Sequence, residues 1–349
     1  MIQLQIISMK IFNRNIRNRL LGAILAIAPG LAGLSSCSGV IYDDLDPCPE
    51  GLRLRFIYDY NMEFANAFPS QVHCLTLLVY DEQGRYVETR TVTDPQLLSD
   101  ENWRMDVDLP EGKYRLLAYG GMACDQASFH FMNGPSEADP MQSLQVAMND
   151  DILNSPTGKQ LHHLFYGALD VEVKESTMAY QEYTLPMMKD TNNIRILLQN
   201  VNGTPVDDRD YTFEITDDNT LLDWQNLPVT NGTFTYLPWT QGQVNGGEVP
   251  GGDRSVLAFA EFSTSRLMAR SDARLTIKRR SDGHEVLSIP LITYLQMLRS
   301  QEYADMAPQE FLDRESRWNL ILFLNEGNWI TTTIVINGWV VRINNIEGL

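Results

Sequence analysis

The sequence predicts an all-β protein, a pair of β-sandwiches in tandem with a few short helices. Three observations carry that prediction. Apolar and polar residues alternate with period two in many short runs, as half-buried strands require. Gly, Pro, Asn and Asp punctuate those runs as turns. Three elements recur in the same order after an offset of 136 to 141 residues, a weak internal repeat.

Taken in order, residues 52–58 alternate apolar with basic, and residues 74–80 form a nearly continuous apolar run, as a strand buried on both faces would. Residues 81–84 (Asp-Glu-Gln-Gly) read as a hairpin turn before a strand at 86–92. Residues 103–109 alternate again, 110–112 turn the chain, and 114–119 form a strand that Gly120 and Gly121 end. Residues 134–160, rich in Gly, Pro, Ser, Asn and Asp, read as a long loop with at most a short helix. Strands at 164–173 and 183–187 complete the first set.

The second half repeats the theme with strands at 193–199, 211–215 and 256–262. Residues 273–278 and 285–289 flank an Asp-Gly turn and read as a hairpin. Residues 291–298 and 308–315 are the best helix candidates. Strands at 318–324 and 329–343 close the chain, with Asn337-Gly338 as a turn or bulge. The count is about fourteen to sixteen strands with two or three helical segments, which argues for sandwiches whose edge strands must be managed or used.

The front of the chain is different. Lys10, Arg14, Arg17 and Arg19 form a basic region, and the apolar stretch at 20–34 is shorter than the roughly 20 residues that span a bilayer, so it reads as a secretory signal. Met9 is a candidate initiator. The segment ends Leu34-Ser35-Ser36-Cys37, where small residues before a cysteine fit a lipoprotein signal peptidase and the Cys37 thiol takes the diacylglyceryl group. Several acyl chains at about 0.8 kcal/mol per buried methylene anchor stably where one does not. The expected organisation is a signal peptide at 1–36, a polar tether at 37–51, and sandwiches at 52–190 and 191–349.

Loss of the signal removes four basic and no acidic residues, taking the net charge from −18 to −22. Such a surface repels nucleic acid and anionic headgroups, so nucleic acid is excluded as a partner and membrane contact falls to the lipid. After Cys37 only Cys48, Cys74 and Cys124 remain. Secretion permits one bridge among the three, and the sequence leaves the pair open.

No catalytic motif stands out: there is no GxSxG, HExxH, P-loop, CxxC pair or dinucleotide fingerprint. The expectation is a protein without enzyme activity, cofactor or metal. On a strand, the adjacent His162 and His163 would point to opposite faces. The pairs Asp207-Asp208 and Asp217-Asp218 suit turns, or oxygen ligation of calcium. Trp224, Tyr236, Trp239, Trp318, Trp329 and Trp339 serve as core or interface residues, or as platforms for sugar rings. Residues 330–343 have very high β propensity, with Ile334, Ile336, Trp339 and Val341 as a candidate strand-exchange segment that either closes its own domain or adds to another subunit's edge.

Several strings resemble the minor fimbrial anchor subunits of Bacteroidota type V pili, the fimbrillin-associated anchor family. They are residues 41–49 (Ile-Tyr-Asp-Asp-Leu-Asp-Pro-Cys-Pro), 52–62 (Leu-Arg-Leu-Arg-Phe-Ile-Tyr-Asp-Tyr-Asn-Met) and 119–125. Residues 185–195 (Leu-Pro-Met-Met-Lys-Asp-Thr-Asn-Asn-Ile-Arg), 213–219, 311–315 and 334–339 extend the likeness along the mature chain. The resemblance implies two transthyretin-like sandwiches and a palmitate-bearing outer-membrane lipoprotein. Such a protein holds the base of a fimbrium, limits its length and meets shaft pilins through strand complementation. It also implies retention of the lipid on Cys37, since shaft pilins are cut after an arginine and no arginine lies between Cys37 and Leu52. The alternative is a surface lipoprotein that binds glycans.

Overall fold

The computed structural model describes residues 51–174, 179–248, 254–325 and 327–342. The signal peptide, Cys37, nearly all of the tether and Cys48 lie outside the described residues.

Twenty strands are present among them. The first half holds β1 (Leu52–Ile57), β2 (Leu75–Asp81), β3 (Tyr86–Val92), β4 (Met105–Val107), β5 (Gly112–Gly120), β6 (Phe129–Phe131), β7 (Gln145–Met148), β8 (Phe165–Val173) and β9 (Gln181–Lys189). The second half holds β10 (Asn192–Asn200), β11 (Tyr211–Asp217), β12 (Leu221–Asp223), β13 (Phe234–Tyr236), β14 (Thr240–Glu248), β15 (Arg254–Thr264), β16 (Arg274–Arg279) and β17 (Glu285–Pro290). The chain then runs through β18 (Arg317–Asn325), β19 (Asn328–Ile336) and β20 (Trp339–Arg342). Five short helices join them: α1 (Phe68–Gln71), α2 (Pro95–Leu98), α3 (Asp150–Leu153), α4 (Leu291–Glu302) and α5 (Pro308–Arg314). The all-β class of the sequence is the class of the structure.

Seven first-half strands form one sheet in the order β3-β2-β5-β8-β9-β1-β4. The second half forms a six-stranded sheet, β14-β15-β10-β18-β19-β20, and a four-stranded sheet, β13-β11-β16-β17. A three-stranded sheet, β12-β7-β6, draws on both halves, because β12 pairs antiparallel with β7. The recurring elements share one feature of pairing: β1 runs parallel to β9, and β10 runs parallel to β18. The repeat stops there, since β2 pairs with β5 while their counterparts β11 and β15 lie in different sheets.

Burial explains the continuous apolar run of β2. Leu75, Leu77 and Val79 belong to a core lined by β1, β4, β5, β8 and β9, whereas Leu78 and Tyr80 face a second, larger core. That second core takes Leu117 and Tyr119 from β5, Val146 and Met148 from β7, and Ile194, Leu320, Ile334 and Ile336 from the six-stranded sheet. Both faces of β2 are therefore buried, and one apolar core passes from the first half into the second.

Four sequence expectations are corrected. Residues 134–160 hold a strand, β7, as well as the short helix that the loop reading allowed (α3); Val146 and Met148 alternate inward, and the short run is masked by flanking turn residues. The strand at 103–109 is confined to β4. The strand count exceeds about sixteen because β6, β12 and β13 span three residues each, too few for a period to show. Helices number five, since α1, α2 and α3 are single turns. Residues 329–343 split into β19 and β20 at a two-residue turn, where Asn337 and Gly338 both take positive φ (48° and 86°), the geometry that Asn-Gly supplies at low cost.

Residues 189–192, which connect β9 to β10, are all polar and all buried: Lys189, Asp190, Thr191 and Asn192 are 3, 0, 1 and 3 % exposed. The Asp190 amide donates to Leu164 O (2.8 Å), and the Asn226 side-chain amide donates to Asp190 Oδ1 (2.7 Å). Trp318 Nε1 donates to Asn192 Oδ1 (3.2 Å). Close by, Arg266 makes a two-pronged pair with Asp313 of α5 (2.9 and 2.8 Å) and donates to Asn226 O. Gln309 Nε2 supports Asp313 Oδ1 (2.9 Å).

Breaking a buried ion pair leaves an uncompensated charge. Asp313→Ala is expected to cost about 3–5 kcal/mol in urea unfolding, whereas Arg266→Met with Asp313→Leu recovers most of that loss. Equal destabilisation by the single and double variants contradicts the pairing.

Candidate functional site

Cys74 and Cys124 are joined by a disulfide with Cα atoms 5.5 Å apart, closing a loop of 50 residues between the start of β2 and the segment after β5. The Gly121 amide donates to Cys74 O (3.1 Å), which fixes the turn that brings Cys124 back. A side chain on Gly121 would strike His163 O, and its φ of +94° suits glycine alone.

The candidate strand-exchange segment divides between core and surface. Ile334 and Ile336 of β19 are fully buried, while Trp339 and Val340 of β20 are 50 and 57 % exposed. In the hairpin, Ile334 pairs with Val341 and Ile336 with Trp339. β20 ends the order of the six-stranded sheet, so among the described residues one side of its backbone faces no further strand of that sheet. The C-terminal segment thus completes its own sheet and leaves an apolar edge.

Two cavities combine aromatic and charged side chains. The first, about 570 Å³, lies beside the β2–β3 turn and includes Trp224, Tyr183 and Arg115. Both of its cations are matched locally: Arg115 pairs with Asp170 (2.6 Å) and Lys113 with Glu82 (3.4 Å). The second, about 480 Å³, lies on the six-stranded sheet where β10, β15 and β18 begin or end, with Trp239, Arg195, Glu261, Arg317 and His163 on its walls.

His162 and His163 are not on a strand, and both line a further cavity with His73. The strand on which that expectation rested is absent there, because the segment before β8 is irregular and period two does not apply; His163 also lines the cavity around Arg195. Among the described residues, no group of three His, Cys, Asp or Glu could hold a metal. Burial, with Lys189 beside it, holds the His163 imidazole down at about 4, so it is neutral at neutral pH. Lys189 Nζ lies 3.3 Å from His163 Nε2, and an ammonium can only donate, so Nε2 accepts. Burial, then the charge of Arg317, holds Lys189 down at about 8.

The acidic pairs have structural partners. Asp207 is drawn down to about 2, chiefly by its side-chain hydrogen bonds from Arg209. Burial pushes Asp217 up, and it accepts from the Asp218 amide (2.9 Å). Of the aromatics, Trp318 and Tyr236 are core, Trp329 packs near Tyr294, Trp224 and Trp239 line cavities, and Trp339 is exposed. The buried polar joint, the Arg266–Asp313 pair and the cavity around Arg195 escaped the sequence reading. Their members come from distant segments, and the one local signal was the polar run 189–192 between two apolar strands.

A family profile described as Mfa2, fimbrillin-A associated anchor proteins Mfa1 and Mfa2, matches residues 45–345. The chain belongs to this family of anchor proteins. A curated relative, the minor fimbrium anchoring subunit Mfa2 of Porphyromonas gingivalis, is 21% identical over 339 residues, covering 94% of this chain and 97% of its own. The solved structure of the Mfa2 fimbrial anchor from that organism covers 85% of this chain and all of its own with a TM-score of 0.63; at 15% identity this is a likeness of fold. A structure from Bacteroides thetaiotaomicron VPI-5482, described as a candidate adhesin, is 52% identical over 86% of this chain and 100% of its own, with a TM-score of 0.82. Another from that strain, described as a candidate polysaccharide-binding protein, is 30% identical over 84% of this chain and 98% of its own, with a TM-score of 0.72.

Lys189 gives a pH prediction. Its folded value lies below its ordinary 10.5, so the stability it contributes is present above 10.5 and lost as pH falls through about 8. Lys189→Met is expected to exceed the parent in stability at pH 7 by about 3 kcal/mol, the gap closing between pH 8 and 10.5. Chemical unfolding at several pH values checks this, and a pH-independent gap contradicts a buried ammonium.

Proposed function

We propose that the protein is a lipid-tethered structural subunit that attaches the base of a fimbrium to the outer membrane and limits fimbrial length. It meets shaft pilin by β-strand complementation. The observation that carries this reading is β20, a short apolar edge strand near the chain's end, in a member of an anchor family. N–H and C=O groups left without a strand partner among the described residues, beside exposed Trp339 and Val340, would form a template for another chain's strand. At the other end of the chain, the run Leu34-Ser35-Ser36-Cys37 supports lipid attachment. The two modules, 52–190 and 191–349, act as a stiff spacer between foot and joint. No catalytic role is needed for this function.

A second reading, glycan binding, is favoured by the cavity around Trp239 and by the relative described as a candidate polysaccharide-binding protein.

Cys37→Ala is expected to move the protein from the membrane to the soluble fraction and to shed or lengthen the fimbriae. Unchanged membrane attachment contradicts lipidation. Trp339→Lys with Val340→Lys is expected to change unfolding by no more than about 0.5 kcal/mol per site, as for other exposed positions, yet to release fimbriae into the medium. Normal surface fimbriae in that strain would remove the edge of β20 from the joint.

A further inference from the structure

The cavity on the six-stranded sheet leaves its own donors unanswered. Strand register sets its floor: Arg195 of β10 lies between Glu261 of β15 and Asn319 of β18, and Asn193 lies beside Arg317. The Trp239 amide donates to Glu261 O (2.9 Å), which seats the indole next in line. Gln160 and His163, from the segment before β8, form the wall.

Two N–H groups here, Arg195 Nε and Trp239 Nε1, are buried without a hydrogen-bond acceptor among the described residues. A buried donor left unpaired costs about 1–3 kcal/mol, so such a group calls for a partner. Glu261 is the one acid on the walls, and its Oε1 stands 3.5 Å from Arg195 Nε, an ion pair without a hydrogen bond. Arg317 makes no ion pair among the described residues. Behind His163, Lys189 adds a third cation that is still charged at neutral pH. Two arginines thus share one carboxylate on the cavity walls in a chain of net charge −18; off the walls, Lys189 adds a cation and Glu315 an acid whose charge Arg317 also feels. In the first cavity, by contrast, each cation already has its acid.

Resting on the glycan-binding reading, we propose that this cavity binds a carboxylate-bearing sugar. Its acid group lies between Arg195 and Arg317, within reach of Trp239 Nε1, and its ring lies against the indole. The volume, about 480 Å³, falls within the roughly 300–1,000 Å³ of organic-ligand pockets and far exceeds a bare inorganic anion. The amides of Gln160, Asn193 and Asn319 offer donors and acceptors suited to hydroxyls, which an aliphatic acid would leave unused.

The test is calorimetric titration of the purified protein with a glucuronate-terminated disaccharide, its glucose-terminated counterpart and a dipeptide with a free carboxylate. The acidic sugar is expected to bind about tenfold more tightly than the neutral one, the scale of a charge-assisted hydrogen bond. Arg195→Gln and Arg317→Gln should each erase that preference, and Trp239→Phe should narrow it while keeping the ring. In the unsubstituted protein the Trp239 indole N–H resonance should shift on binding, a readout that needs no variant. Equal affinity for both sugars overturns the carboxylate site and leaves the glycan reading standing. No binding of any sugar overturns both. Saturable binding of the dipeptide alone assigns the cavity to a protein partner and overturns the proposal.

Discussion

The structure depends on a polar joint buried where an ordinary linker would be exposed. Lys189 to Asn192 pass from β9 to β10 with almost no contact with water, so the polar groups they carry depend on partners inside the protein. Asp190 takes the Asn226 amide, Thr191 accepts from the Leu164 amide, and Asn192 takes the Trp318 indole. Burial pushes the Asp190 carboxyl up to about 7, against the pull of Arg266 and Asn226. Its second oxygen has no hydrogen-bond partner among the described residues. An apolar linker would avoid these costs; the polar one ties the direction of β10 to specific partners on the segment after β12, the end of β15 and β18.

The joint and the cores reinforce each other. β2 gives one face to each of two cores, β12 of the second half pairs with β7 of the first, and Trp318 sits on Phe311 while its N–H reaches the joint. Arg266 and Asp313 fix α5 to the same place. Bending at residues 189–192 would therefore expose apolar surface and unpair buried charges together. On the proposed role, a chain held at one end by lipid and at the other by an added strand would work under tension, and a joint that cannot hinge would pass that tension from foot to shaft without loss of register.

Much of this architecture is legible in the amino-acid order. Period two locates β1, β10 and β11, the uninterrupted apolar run of β2 announces burial on both faces, and Asp282-Gly283 and Asn337-Gly338 mark real turns. What escapes is short or assembled from afar. β6, β12 and β13 offer three residues each, and β14 is rich in glycine and amides, so neither period nor propensity reveals them. The partner of Cys74 follows from the path of β2 and β5, not from spacing. Arg195 reads as one of the alternating polar positions of a strand; its unpaired Nε becomes visible only when Trp239, Glu261 and Arg317 are set beside it.

Native-state hydrogen exchange at the Asp190 and Asn193 amides tests the central claim most directly. These amides donate to Leu164 and Ser316, bonds that survive as long as the joint stays closed. They should exchange only through global unfolding, with the same free energy as the interior of β10 and β18. Fast exchange at the two amides while those strands stay protected would mean that the halves hinge independently, and the rigid spacer would be lost.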